Sequence, residues 1–191
     1  MYRVSKDRRF TRNRDALQQA FIELALEKPF PEITVTDIAK RAGVNRMTFY
    51  SHYECINDIF YEMADQMVSQ LEEHASSMDA LDVKGMFSYA DRLRALQPEF
   101  FKLIAFDENY ALLRSLVKEN IRRMLERRLK QHSNFQGDDL KVCAGLLAAG
   151  ICGSYWDWVG GEYGDVDLQV ILNHFDFMVK GAMNHAPAEA A

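Results

Sequence analysis

Residues 33–53 read ITVTDIAKRAGVNRMTFYSHY, and the side chains gathered there are better suited to holding a nucleic acid than to breaking bonds. Arg46 can reach a phosphate or a guanine edge, Met47 can touch a thymine methyl, and Thr48 can donate or accept a hydrogen bond, all within one helical turn. The hydroxyls of Thr36 and Tyr50 suit phosphate oxygens, contacts that position a protein on a duplex without reading its sequence. The spacing supplies a frame for them. Ala39 is small where two helices would cross, and Gly43, four residues on, permits a tight turn. Ile38, Ala42, Val44, Phe49 and Tyr53 are apolar where the two helices must share a buried side. Thr36 is expected to cap the first helix, with Asp37 in its first turn, and Asn45 the second. At about 100° per residue, Phe49 and Tyr53 then point inward, and Met47 and Ser51 point out, flanked by Thr48 and Tyr50. A helical hairpin with a merely polar outer face would show the same periodicity; the charge around it favours the recognition reading.

That charge is uneven. The chain has 191 residues and a formal net charge of −5. Residues 1–54 hold ten Lys and Arg against seven Asp and Glu, whereas residues 55–191 hold thirteen against twenty-one. Arg3, Lys6, Arg8, Arg9, Arg12 and Arg14 precede or open the first helix, with only Asp7 opposing them. A basic arm on an otherwise acidic protein fits one end facing a polyanion, although a solvated, frayed terminus has the same composition.

Catalysis finds little support. There is no Gly-rich phosphate loop, no GxSxG and no HExxH, and His52, His74, His132, His174 and His185 are scattered. No catalytic residue, metal ligand or cofactor is expected. Cys55, Cys143 and Cys152 form no CxxC pair, and an odd number of thiols fits a reducing compartment. The last two lie nine residues apart in one expected helix, on opposite faces. With no secretion-type leader and no apolar run near the ~20 residues of a membrane span, a cytoplasmic location with no membrane partner is expected.

The elements that must position these residues are nearly all helical by period, so the fold class is all-α. Helices are expected over Thr11–Lys28, from Thr36 to Ala42, from Asn45 through Tyr53, over Asn57–Met78, Val83–Leu96, Pro98–Phe106, Tyr110–His132, Asp138–Val159 and Asp167–Asn184. Pro98 sits in a first turn, and Gly160, Gly161 and Gly164 link the last two. The expected division is a three-helix DNA-binding unit over 1–54, a helical bundle over 55–185, and a disordered tail over 186–191.

The segment from the amphipathic helix Ala16–Leu24 through Ile33–Val44 and Thr48-Phe49-Tyr50-Ser51-His52-Tyr53 resembles the TetR family of one-component bacterial transcriptional regulators. The resemblance implies DNA contacts at Thr36, Asn45, Arg46, Met47, Thr48, Tyr50 and His52. It also implies a helical domain that binds a small effector and a homodimer made by the last two helices. The implied function is a repressor that sits on a palindromic double-stranded DNA operator until the effector releases it. One departure stands out: where the family commonly has lysines after this stretch, the chain has Glu54 and Ile56. That keeps open a TetR-like co-activator or adaptor acting through another protein without DNA, with a small all-α enzyme a more distant alternative.

Two further surfaces follow. Aromatics and methionines concentrate between residues 60 and 110, and Met63, Met67, Met86, Phe87, Tyr89, Phe101, Phe106 and Tyr110 are the expected pocket for the effector, although a helical bundle needs such residues for its core too. The helix Asp138–Val159 is apolar on two sides, as is the last helix. One side serves the chain's own core, and the other suits a second copy; Gly145, Ala149, Gly153, Trp156, Leu172, Phe175 and Val179 are the expected interface. Arg122, Arg123, Arg127 and Arg128 are read as a solvated face partly paired with Glu119 and Glu126.

Overall fold

The computed structural model describes residues 3–75 and 83–184, and the described residues contain helices and turns but no strand. In order these are α1 (Arg3–Glu27), a 3-10 turn (Phe30–Glu32), α2 (Val35–Arg41), α3 (Arg46–Tyr50), α4 (Asn57–Ala75), α5 (Val83–Leu96), α6 (Pro98–Phe106), a second 3-10 turn (Glu108–Tyr110), α7 (Ala111–His132), α8 (Gly137–Gly160) and α9 (Leu168–Asn184). The end of the long helix expected at residues 76–78 and the tail 186–191 lie outside the described residues.

The chain forms two compact units, residues 1–63 and 64–191. The expected boundary at 54/55 falls short because the first turns of α4 belong to the first unit's core. Ile59 and Phe60 are fully buried, and the Phe60 ring meets Phe21 edge-on at 5.5 Å and Phe30 at 5.3 Å. Leu17, Ala20, Phe21, Leu24 and Ala25 supply the inner face of α1, as their spacing requires.

The cap of α2 is Thr34 rather than Thr36. The Thr34 hydroxyl accepts from the Asp37 N–H at 3.2 Å, and the Asp37 carboxylate accepts in return from the Thr34 N–H at 3.0 Å. This reciprocal box needs Asp three residues after the cap, a spacing Thr34 has and Thr36 lacks. Lys28 adds an ion pair to Asp37 at 2.8 Å.

In the second unit α7 and α8 pack along each other, with α6 against both, and α9 lies against α5 and α8. Core residues run down one side of α8, among them Leu140, Ala144, Leu147, Ala148, Ile151 and Tyr155. This helix is long and apolar enough by composition to cross a membrane, contrary to the reading above. Its inner residues are instead consumed by packing against α6 and α7. Gly161, at φ +84°, ends it in the left-handed conformation. Glu72 of α4 and Arg127 of α7 pair at 2.9 Å, and Arg122 bridges Glu119 and Glu126 along one face of α7.

Candidate nucleic-acid interface and effector cavity

The turn between α2 and α3 is built by local necessity. Gly43 has φ +67°, a conformation that a Cβ would strain. The Val44 N–H donates to the Ala39 carbonyl at 2.9 Å, closing α2. Asn45 then opens α3, its side-chain oxygen accepting from the Thr48 N–H at 2.8 Å and from the Thr48 hydroxyl at 3.0 Å. Ile38, Ala39 and Phe49 are buried between the helices, and Tyr53 is buried just beyond α3, which ends at Tyr50, earlier than its periodicity suggests.

The outer face is where the expected contacts stand. Met47 is 80% exposed and Tyr50 50%. Thr36, Asn45 and Arg46 are exposed, and Thr48 is half-buried because its backbone and hydroxyl serve the cap. The Arg46 guanidinium lies 6.0 Å over the Tyr50 ring, so cation and phenol occupy one patch. His52 is half-buried, its ring 3.9 Å from that of Phe10. Burial holds its pKa below the ordinary value, against the opposing pull of Glu62, with Arg14 adding to the lowering. A neutral imidazole near pH 7 offers a hydrogen bond there, not a charge. Glu54 is exposed, and its backbone N–H donates to Asp58 at 2.7 Å, as does that of Cys55 at 3.1 Å. Asp58 thereby satisfies amides at the start of α4.

Sequence reasoning missed a polar network behind this face. The Tyr53 hydroxyl donates to Glu62 and accepts from Gln18 at 3.3 Å, while Arg14 pairs with Glu62 at 3.3 Å. Burial, then the bond to Glu62, raises the Tyr53 pKa well above the ordinary phenol value. The network ties α1, α4 and the end of the motif together. Its members lie far apart in sequence, so no local signal announces it.

The second unit holds a cavity of about 50 Å³. Its wall comprises Met67 and Leu71 of α4, Met86, Phe87, Ala90 and Leu93 of α5, Phe101 of α6, Val117 and Ile121 of α7, and Ile151, Cys152, Tyr155 and Trp156 of α8. Of the eight residues expected around a pocket, Met67, Met86, Phe87 and Phe101 are therefore together. The other four are elsewhere: Met63 falls in the first unit, Tyr89 is half-buried beside Arg92, Phe106 is exposed, and the fully buried Tyr110 packs edge-on against Phe100. Nothing in the sequence picked out the α7 and α8 residues, because only the packing of α7 and α8 brings them to the void. Burial pushes the Cys152 thiol up to about 12, so it is protonated at neutral pH.

The expected pairing residues also divide. Trp156, Leu172, Phe175 and Val179 are buried inside the unit; Phe175 stacks on Phe87 at 5.8 Å. Gly145 is half-exposed, and Ala149 and Gly153 are exposed. Beside them on α8, Val142 and Leu146 are open, Leu146 at 70%. Val170, Phe177 and Met178 are open on α9, with Phe177 at 78%.

A helix-turn-helix head, a helix α4 that runs from the first unit into the second, and a helical bundle with an apolar pocket define a class, and the comparisons match the head to a known family. Residues 19–63 match the family described as bacterial regulatory proteins, tetR family. That match covers the helix-turn-helix head and the start of α4. It is 34% identical over 82 residues to the HTH-type transcriptional regulator YxbF of Bacillus subtilis (strain 168), a match covering 41% of this chain and 22% of that protein. It is 29% identical over 136 residues to the fatty acid metabolism regulator protein of the same organism, covering 69% of this chain and 64% of that one. The matches thus span less than two thirds of either relative's length. Among solved structures, the dihydroxyacetone kinase operon activator DhaS shares the fold with a TM-score of 0.63 at 15% identity, covering 92% of this chain and 98% of that one. The Thermus thermophilus repressor FadR, solved in complex with lauroyl-CoA, does so with a TM-score of 0.57 at 22% identity, covering 93% and 98%.

Proposed function

We propose that the protein is a transcriptional regulator, a cytoplasmic homodimeric repressor that binds a palindromic operator and leaves it when a small apolar effector enters the second unit. The observation that carries the DNA reading is the capped helix-turn-helix with Arg46, Met47 and Tyr50 on its open face. Arg46, Met47 and Thr48 face base edges, and Thr36, Asn45, Tyr50 and His52 hold the backbone. The open face of α8 and α9, from Val142 and Leu146 to Phe177 and Met178, is where a second copy packs; exposed residues of this size on adjacent helices favour a covered face. The wall of the cavity and the names of the fatty acid metabolism regulator and of the repressor solved with lauroyl-CoA support an apolar effector.

Helix α4 carries the message. Its Ile59 and Phe60 belong to the first unit's core, and its Met67 and Leu71 line the cavity. An effector that prefers one placement of α4 shifts the spacing of the two recognition helices by its differential affinity alone, about 2–3 kcal/mol in typical couplings. Footprinting on DNA flanking the protein's own gene, with a gel-shift salt series, tests the reading. The expected result is a footprint with dyad symmetry, half-sites about one helical turn apart or modestly more, and an affinity that falls steeply with salt. Absence of sequence-specific binding even at low salt would instead establish the adaptor reading, in which Glu54 and Ile56 mark a head that does not grip phosphate.

A further inference from the structure

The chain passes from the first unit to the second once, inside α4, between Met63 and Ala64. Whatever orients the head on α4 acts before that point, on the turns of α4 that belong to the first unit. Ile59 and Phe60 hold those turns by apolar burial, a non-directional force that sets depth more than angle. Glu62, next to the crossing, is held by directed bonds instead. Its carboxylate accepts from the hydroxyl of Tyr53, a residue only 5% exposed, and pairs with the Arg14 guanidinium at 3.3 Å. The same hydroxyl accepts from Gln18 at 3.3 Å. Charge-assisted hydrogen bonds of this kind are strong and lose strength steeply when their angles change. Arg14 and Gln18 belong to α1, Glu62 to α4, and Tyr53 follows directly on His52 at the end of the recognition segment. Three pieces of the head are therefore braced at one place.

We infer that the bonds among Tyr53, Glu62 and Arg14 make the protein selective for the distance between operator half-sites, with Tyr53 and Glu62 as positioning residues that fix the angle between the head and α4. The inference rests on the reading of the protein as a dimeric DNA-binding regulator and adds what sets its choice of operator geometry. Two heads of one dimer must reach two half-sites at once. Each base pair added between the half-sites moves one of them about 3.4 Å along the duplex and about 34° around it. A head follows by turning against α4, which breaks the directed bonds, or the DNA deforms. The bonds thus set a ceiling on their own contribution to discrimination, about tenfold for one hydrogen bond to a charged group.

The operator found by footprinting is rebuilt with one base pair inserted or removed between its half-sites, and the affinity of the full chain for each duplex is read by fluorescence anisotropy at a fixed salt concentration. Tyr53→Phe removes the hydroxyl and keeps the buried ring. Glu62→Gln keeps an acceptor for Tyr53 and loses the charge that faces Arg14. Wild type should prefer its own spacing about tenfold or more, and Tyr53→Phe should shrink that preference about five- to tenfold. Glu62→Gln should shrink it less, because the bond to Tyr53 survives. Thr34→Ala, which loosens the head at the α2 cap, should lower stability and leave the preference intact, a separation that a merely structural role for Tyr53 would not show. If Tyr53→Phe fails to fold, Glu62→Gln decides. A preference unchanged in the network variants, or reduced as much in Thr34→Ala, overturns the inference and leaves the regulator reading standing. Absence of sequence-specific binding by wild type overturns that reading, and the inference with it.

Discussion

The two units distribute apolar and polar groups in opposite ways. The first closes an aromatic core on itself, with Phe21, Phe49 and Phe60 fully buried, and presents Arg46, Met47 and Tyr50 outward from short, well-capped helices. The second leaves an apolar pocket among its helices and sets Leu146, Phe177 and Met178 outside. A rigid frame with exposed polar ends suits recognition by fixed side chains. A unit with internal space and an open apolar face suits recognition by what fills the one and covers the other. Substitutions should therefore separate binding from stability in the first unit and couple packing to ligand and partner in the second.

The largest expected effect lies in the head. Phe49→Ala leaves a cavity in a small core and should cost about 3–5 kcal/mol of stability, read by urea unfolding. Tyr50→Ala, one residue away but half-exposed, should stay within about 0.5 kcal/mol of wild type and weaken operator binding. Equal loss of stability in the two would break the contrast between a closed core and an open recognition face.

Phe177→Asp places a charge on the open face of α9 and should yield a monomer at micromolar concentration in sedimentation, a loss of about 2 kcal/mol or more of association energy. Its far-ultraviolet circular dichroism should be unchanged, because the side chain is 78% exposed. An undiminished dimer would move the pairing surface elsewhere. Next in size, Ile151→Phe fills the cavity from α8. It should reduce binding of an apolar probe such as 1-octanol about tenfold or more, about 1.4 kcal/mol, in calorimetry. Operator affinity without ligand should be unaltered, since the head's contacts are untouched.

The smallest effects sharpen the account of the head's frame. Thr34→Ala removes a cap and should cost about 1 kcal/mol. Thr36→Ala, inside α2, should cost less and act on DNA affinity instead. The hydrogen bond from Lys28, then those from Thr34, hold the Asp37 carboxyl well below the usual carboxylate range. A lowered folded-state pKa contributes stability that is complete above the unfolded value, near 4, and is lost as pH falls through the folded one. The stability gap between wild type and Asp37→Asn should thus hold from about pH 5 to 8 and shrink progressively as pH falls below about 4, as followed by denaturant midpoints. A gap that closed near pH 6 would point to a different titrating group.

How much of this was legible depended on distance along the chain. The helices Val83–Leu96 and Pro98–Phe106 match their expected bounds, because a 3.6-residue period and a proline in the first turn are read within a few residues. The turn at Gly43 and the cap at Asn45 were equally local. Choosing between Thr34 and Thr36 as the cap needed only the three-residue reach to Asp37, a spacing present in the sequence and overlooked. The bond from Tyr53 to Glu62 and the pairing of Glu62 with Arg14 join separate elements, and nothing local signals them.

The sequence by itself determined that the chain is helical and where nearly all of its helices run. It also determined that residues 33–53 form a helix-turn-helix with a polar outer face, because period, caps and turn conformations are properties of short segments. Tertiary structure decided which apolar stripe of α8 and α9 turns inward. Both stripes are apolar, so periodicity fixes the angle between them but not which one meets the core; Leu172, Phe175 and Val179 went in and Phe177 stayed out. It decided as well that four of the eight expected pocket residues meet and that α7 and α8 complete the wall. A void is the space five helices fail to fill, and no single helix's sequence records where its neighbours stop short.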